Sequence, residues 1–301
     1  MKEVVLITGA NGLVAQELSK IIDKEYDVRF LTRKKRQNNE YEWNVKKQII
    51  DESAFENISH IIHLAGANIS EQRWTDERKK ELISSRVDSA NLLLTTLRKK
   101  NIKLKSFISA SGINYYGTKT TDKIFTEEDL PGNDFLSEVV VLWERAADDF
   151  KEQNLAERVV KIRTAVVLSD KDGALKKMLF PIKNYIGSPL GSGQQYMPWI
   201  HIKDICLIYE LALKNSDIDG AYNATSPQHT TNENLTKQIA AVLQKPLFMP
   251  NIPGFILKFL FGELASALLE GSRASSQKIQ NAGFRFEFPD LKQALEDLLR
   301  N

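Results

Sequence analysis

A doubly wound, mostly parallel α/β sheet with a smaller α+β lobe towards the C-terminus is the fold class predicted by three features of this 301-residue sequence. The chain opens on a β-branched run, a glycine turn and a helical pattern. Short apolar runs then alternate with helical spacing across the first two-thirds. After Leu168 the texture turns irregular and rich in glycine and proline.

Each element follows from its own residues. Val4 to Ile7 is uniformly apolar, as a strand covered on both faces must be. Thr8-Gly9-Ala10-Asn11-Gly12 is the turn, and Leu13 to Ile22 has helical spacing through Leu18, Ile21 and Ile22. Val28 to Thr32 is a second strand, and Ser59 to Ala65, ending in Gly66, another. Thr75 to Lys100 is a long helix: Ile83, Val87, Ala90, Leu94 and Leu97 share a face, and Thr75 is its N-cap. Ser106 to Ser111 is the next strand, Leu136 to Gln153 the next helix, and Val159 to Leu168 the strand after it. Right-handed crossovers put the loops that follow the strands at one sheet edge, where ligands collect.

Beyond Leu168, Gly173, Gly187, Gly191 and Gly193 with Pro181, Pro189 and Pro198 mark an irregular region. A strand and helix return at Trp199 to Leu213. Asn223 to Asn301 holds two helical stretches and a short strand near Phe284 to Phe288. The charged stretch Asp122 to Asp129 reads as an exposed loop. The division that results is a Rossmann-like nucleotide-binding domain over 1–225, with 169–198 contributing to a substrate lobe, and a small substrate-side domain over 226–301.

Composition sets outer bounds. A hydrophobic share of 42% and a charged share of 27% suit a globular enzyme with a sizeable core. The net charge of +2, with acids and bases interleaved, gives no sign of a nucleic-acid partner. The one cysteine, Cys206, lies in the apolar run ICLIYELAL and fits a reducing, cytoplasmic setting. No signal peptide precedes the first strand. The most apolar stretch, Ile252 to Leu269, is interrupted by Gly254, Lys258, Gly262 and Glu263, which argues against a membrane span. The scattered histidines and lone cysteine lack metal-site spacing, so no metal is expected.

The strand-turn-helix context makes the glycine turn a dinucleotide site. Gly9 permits the tight turn, and Gly12 lets backbone N–H groups approach a pyrophosphate at the positive helix end. Asn11 and Leu13 flank that approach. Ala15 takes the third small position, where helix and strand pack closely. An acid at the end of the second strand would bind the ribose hydroxyl of NAD, but the strand ends Thr32-Arg33-Lys34. Arg33 is placed to face a 2′-phosphate, with Lys34 in support, so the cofactor expected is NADP, ahead of NAD.

TGANGLVA, HLAG at His63 to Gly66 and SASGINYYG at Ser109 to Gly117 resemble the extended short-chain dehydrogenase/reductases. RWT at Arg73 to Thr75, SRV at Ser85 to Val87, RTAVVL at Arg163 to Leu168 and LGSGQQYMPWIHIKD at Leu190 to Asp204 are similar to the atypical YfcH-like epimerase family. So are GSR at Gly271 to Arg273 and AGFRFEFPDLKQAL at Ala282 to Leu295. The resemblance spans essentially the whole chain. It implies a Rossmann-like domain binding NADP or NAD, a small C-terminal domain of unassigned function, and no established substrate. Leu64, Ala65, Gly66 and Arg86 join the cofactor contacts; Arg86 stands where the usual active site has an asparagine.

The resemblance also implies a tyrosine that exchanges the proton, a lysine one helical turn later, and a serine that orients the substrate hydroxyl. Ser111 fits the serine. At the family's spacing the tyrosine falls on Leu136 and the lysine on Val140, with Glu144 one turn further fitting the helix acid that normally follows. Neither Leu136 nor Val140 can move a proton. Three readings stay open. Tyr116, or after it Tyr115, takes over as proton donor, with Arg86 as a neighbouring cation. Alternatively His201 in WIHIKD, near Asp204, serves. In the third reading there is no proton transfer and the protein senses NADP.

Among other residues, Gln195, Trp199 and His201 are expected to line the substrate pocket, and Arg163 to form a structural ion pair. His63 is read as a satisfied core-edge histidine. Related families pair the helices corresponding to Thr75–Lys100 and Leu136–Gln153 across dimers, so the resemblance implies a homodimer, with a monomer as the open alternative. The function anticipated is NADP-dependent oxidoreduction or epimerisation of a small polar substrate, against a catalytically silent sensor.

Overall fold

The computed structural model describes residues 2–300. Its strands are β1 (Val4–Thr8), β2 (Asp27–Thr32), β3 (Glu40–Asn44), β4 (Ile49–Ile50), β5 (Ile58–His63) and β6 (Leu104–Gly112). They continue as β7 (Ile124–Phe125), β8 (Ala156–Thr164), β9 (Val166–Leu168), β10 (Trp199–His201), β11 (Gly220–Ala224) and β12 (Arg273–Ala274). The helices are α1 (Leu13–Ile22), α2 (Asp76–Lys100), α3 (Phe135–Glu152), α4 (Ala174–Lys183) and α5 (Ile202–Lys214). After these come α6 (Asn232–Val242), α7 (Gly254–Phe261), α8 (Ser266–Leu269), α9 (Gln277–Asn281) and α10 (Leu291–Arg300).

The central sheet runs β11-β8-β6-β5-β1-β2-β3-β4. Every neighbouring pair is parallel except β3 with β4. The chain leaves β1 towards β2 on one side and returns to β5 on the other, so the strand order reverses at β1/β5. In such sheets ligands bind at that reversal, outside the carboxyl ends of the strands.

Alternation along β1 divides the core. Val5 and Ile7 face one layer with Ala15 and Leu18 of α1 and Ile205 and Ile208 of α5. Val4 and Leu6 face the other with Leu93 and Leu97 of α2 and Phe150 of α3. The two long helices begin on side-chain caps: Thr75 Oγ1 accepts from Arg78 N (3.2 Å) and Asp134 from Ser137 N (2.9 Å). Asn101 ends α2 in the left-handed region, at φ 53°.

Several boundaries differ from expectation. The strand predicted over Val159 to Leu168 is two strands in two sheets. At Ala165 the backbone N–H turns to the Ala224 carbonyl and the next, of Val166, to Pro198, so β9 pairs with β10 instead of the central sheet. No strand forms at Phe284 to Phe288. The buried Asp204 carboxylate accepts from Glu287 N (2.8 Å) and Phe288 N (3.1 Å), taking bonds a neighbouring strand would have supplied. The stretch Asp122 to Asp129 contains β7, which pairs with β12. Residues 223–300 hold five α-helices where two helical stretches are expected. A third apolar cluster joins Leu168, Leu175 and Trp199 to Leu235, Ile239, Leu291 and Leu295.

Candidate active site at the sheet's carboxyl edge

Gly9 turns the chain out of β1 at φ +75°, a conformation open to glycine. A Cβ there would sit 3.2 Å from the Leu64 carbonyl oxygen and 3.3 Å from Ala65 N, so the first turn and the turn after β5 touch at the strand reversal. Thr8 fastens them: its Oγ1 accepts from Leu64 N and Ala65 N, both at 2.9 Å. Its hydroxyl proton therefore goes to His63 Nδ1 (2.9 Å). His63 Nε2 donates to Ser89 Oγ (3.1 Å), whose own proton goes to the Ser85 carbonyl (2.7 Å). Burial pushes the His63 pKa down to about 4, in keeping with this neutral tautomer. His63 is the satisfied histidine expected of it; Thr8, the first residue of the glycine turn, builds the site through contacts with residues 63–65 that local sequence does not show.

Asn11 and Gly12 are exposed at the mouth of the turn. Gly12 spends its own N–H on the Gly9 carbonyl (2.7 Å), so the first-turn amides of Leu13 and Val14 are left as donors towards an anion. Ala15 is buried between α1 and the sheet, as its small size requires. Arg33 and Lys34 are exposed just beyond β2. Glu40 is buried, its carboxylate committed to the loop after β2, where it accepts from Arg36 N (2.6 Å) and Gln37 N (3.2 Å).

Ser111 and Tyr116, two of the catalytic candidates, sit in a buried polar network at the carboxyl end of β6. Arg163 grips Glu144 with two hydrogen bonds, Nε to Oε1 and Nη2 to Oε2, both 2.8 Å. Ser111 Oγ donates to the same carboxylate (2.6 Å). Arg163 Nη1 donates to Tyr116 Oη (2.9 Å), which donates to Asn223 Oδ1 (2.8 Å); Asn223 Nδ2 reaches the Ser275 carbonyl (3.1 Å). Burial opposes the Arg163 charge, but the bonds and charge of Glu144 outweigh it and raise its pKa. Arg163 is thus the structural ion pair expected.

Three expectations are corrected here. The cation beside the tyrosines is Arg163, whose Cζ lies 3.4 Å from the Tyr115 ring centroid; Arg86 instead lies against Trp143, 4.8 Å from its ring. Tyr116, first choice as proton donor, is buried, committed to Asn223, and pushed up to about 12 by burial against the pull of Arg163. Tyr115 is only half-buried. Trp199 lines no pocket: it is 0% exposed and donates Nε1–H to the Gln228 carbonyl (3.0 Å).

Gln195 is buried too, donating to the Leu190 (3.0 Å) and Leu268 (2.9 Å) carbonyls. His201 caps α5 by accepting from Lys203 N (3.1 Å), stacks on Phe288, and lies 3.3 Å from Asp297. It borders a separate concavity of about 400 Å³ with Glu17, Lys171 and Cys206. Burial holds His201 down to about 4 against the charge of Asp297. Leu136 and Val140 are both buried. Leu136 packs with Trp74, Leu82 and Leu264, and Val140 faces Gly112. A larger concavity, about 730 Å³, lies between the first turns of α2 and α3 and contains none of these site residues.

Residues 252–298 match a domain of unknown function (DUF1731). The chain is 31% identical to the epimerase family protein SDR39U1 of Mus musculus, covering 98% of this chain and 99% of that one. It is 32% identical to the epimerase family protein YfhF of Bacillus subtilis (strain 168), covering 98% and 97%. The crystal structure of human epimerase family protein SDR39U1 (isoform 2) with NADPH superposes at a TM-score of 0.89, with 28% identity over 99% of both chains. With residues 5–225 matching the NAD dependent epimerase/dehydratase family as well, the chain belongs to that family.

Proposed function

We propose that this chain binds NADP(H) in the β1/β5 crevice and acts as an oxidoreductase or epimerase on a small polar substrate. The observation that carries the reading is the cradle at the strand reversal, where Gly9 at φ +75° lies against Leu64 and Ala65 and a side chain would fill the space. The α1 amides face a diphosphate there, and exposed Arg33 suits a 2′-phosphate. The human relative whose structure contains NADPH supports that choice over NAD. The cofactor, when bound, would donate or accept a hydride.

Tyr115 is the group this geometry favours for holding and returning the proton. It is accessible, and Arg163, itself anchored by Glu144, presents a cation to its ring face. Ser111, with its proton committed to Glu144, braces the network and can only accept from a substrate hydroxyl. A second reading, an NADP(H)-responsive binding module, is supported by Leu136 and Val140, buried apolar residues at the positions that the resemblance gives to the tyrosine and lysine.

Titration calorimetry with NADPH and NADH, repeated on Arg33→Ala, is the first test. NADPH should bind more tightly than NADH, and Arg33→Ala should weaken NADPH about tenfold, ~1.4 kcal/mol, leaving NADH unchanged. Failure of either nucleotide to bind would remove the reading. NADPH turnover across a panel of small carbonyl and sugar-nucleotide substrates then separates enzyme from sensor. Tyr115→Phe should abolish turnover while sparing NADPH affinity. A second copy docking on the exposed faces of α2 and α3 is part of the proposal, and sedimentation velocity checks it.

A further inference from the structure

Arg86 lies on α2 beneath the turn that follows β5, its side chain almost wholly buried. Nη1 donates to the Leu82 carbonyl (2.8 Å) and Nη2 to the Ala67 carbonyl (3.0 Å). Among the described residues no carboxylate pairs with it, and the charge acting most on it is that of another arginine, Arg78. Burial draws its pKa down to about 10, so the guanidinium keeps its charge at neutral pH. Its Nε is buried without a hydrogen-bond partner. The Trp143 indole lies against the guanidinium, and its Nε1–H is buried and unpartnered as well.

This contrasts with Arg163, equally buried but gripped by Glu144. Buried charges are normally paired, and leaving one uncompensated costs several kcal/mol. Above Arg86 the chain passes through Gly66, which is exposed. A Cβ at Gly66 would sit 3.0 Å from Arg86 Cζ and 3.2 Å from Nη2, so a side chain there would press on the guanidinium, and glycine leaves that contact open.

We propose that Arg86 and Trp143 form an anion-accepting subsite beneath Gly66, which takes a phosphate or carboxylate oxygen of a ligand lying in the β1/β5 crevice. The guanidinium supplies charge and the two orphaned N–H groups supply donors. The proposal rests on the nucleotide reading of the crevice only for the source of that anion, the cofactor or the substrate it works on.

The test is calorimetric titration of the full chain with NADPH, with inorganic phosphate, and with phosphate after NADPH saturation, in wild type, Arg86→Met and Arg86→Lys. If the cofactor brings the anion, NADPH binds Arg86→Met at least about tenfold more weakly, and phosphate gives no binding heat with NADPH-saturated wild type. If the substrate brings it, NADPH affinity stays within about twofold, and phosphate binds NADPH-saturated wild type but not Arg86→Met. Equal NADPH and phosphate affinities in wild type and Arg86→Met overturn the proposal. Should Arg86→Met fail to fold, Arg86→Lys decides: it keeps the charge but loses Nε and the planar fork, so weakened binding supports the subsite and unchanged binding overturns it. Phosphate that binds in an Arg86-dependent way to a wild type that ignores NADPH would sink the cofactor reading and leave the subsite standing.

Discussion

At His63 one buried side chain converts pH into stability. Folded, its pKa is pushed from the usual 6.5 to about 4 by burial. Between those values the unfolded chain binds a proton that the folded chain refuses. The stabilisation is therefore complete above the unfolded pKa and is lost as pH falls from 6.5 towards 4, by about 3 kcal/mol at most. His201, also held near 4 by burial, acts in the same direction. Urea denaturation at about pH 7.5 and about pH 5 should show wild type losing stability and His63→Gln losing less of it. Equal slopes in the two proteins would mean that His63 is not buried neutral. Gly9→Ala should cost ~1–2 kcal/mol for its left-handed backbone and also abolish NADPH binding, because the new methyl occupies the cradle; thermal melts with and without NADPH check both effects.

At the scale of elements, α3 is held to β6 and β8 through one carboxylate, Glu144, and Arg163 and Tyr116 carry the network on to β11. Glu144→Gln leaves the Arg163 charge buried without its partner and should destabilise by about 3–5 kcal/mol, measured by chemical denaturation. Tyr116→Phe leaves Asn223 Oδ1 without its donor and Arg163 Nη1 without its acceptor, costing ~1–3 kcal/mol. The two tyrosines should thus separate: Tyr116→Phe lowers the denaturation midpoint, whereas Tyr115→Phe lowers turnover at an unchanged midpoint. A Tyr116→Phe protein as stable as wild type would contradict the network. Sequence spacing placed α3 within a residue at each end, because its apolar face and cap are local. That Tyr116 meets Asn223, over a hundred residues on, is set by the register of β11 on β8 and was not legible from the strings themselves.

At the scale of the whole molecule, the segment 169–198 and the C-terminal residues share a core. Leu175 and Leu179 of α4 pack with Leu235 and Ile239 of α6 and Leu291 and Leu295 of α10. Trp199 lies in that same cluster, two residues before the cap of α5. We therefore propose that residues 226–301 fold as one unit with the sheet. The full chain should unfold in a single transition by calorimetry, and a chain ending at residue 225 should expose Trp199 and Leu168 and aggregate or melt well below it. Two resolved transitions would show independent domains.

The sequence by itself determined the alternating α/β elements, the glycine turn and its helix, and the basic end of β2. These are written in local spacing, and short-range sterics and burial periodicity read it directly; the loss of the tyrosine-lysine pair is what the resemblance implies at Leu136 and Val140. Tertiary structure alone decided which arginine faces the tyrosines, which tyrosine is locked away, that Trp199 is core, and that Arg86 is left uncompensated. Those outcomes depend on contacts between residues far apart in the chain. Burial and partner geometry, set by strand order and helix packing, fix them there, and residue type alone carries neither.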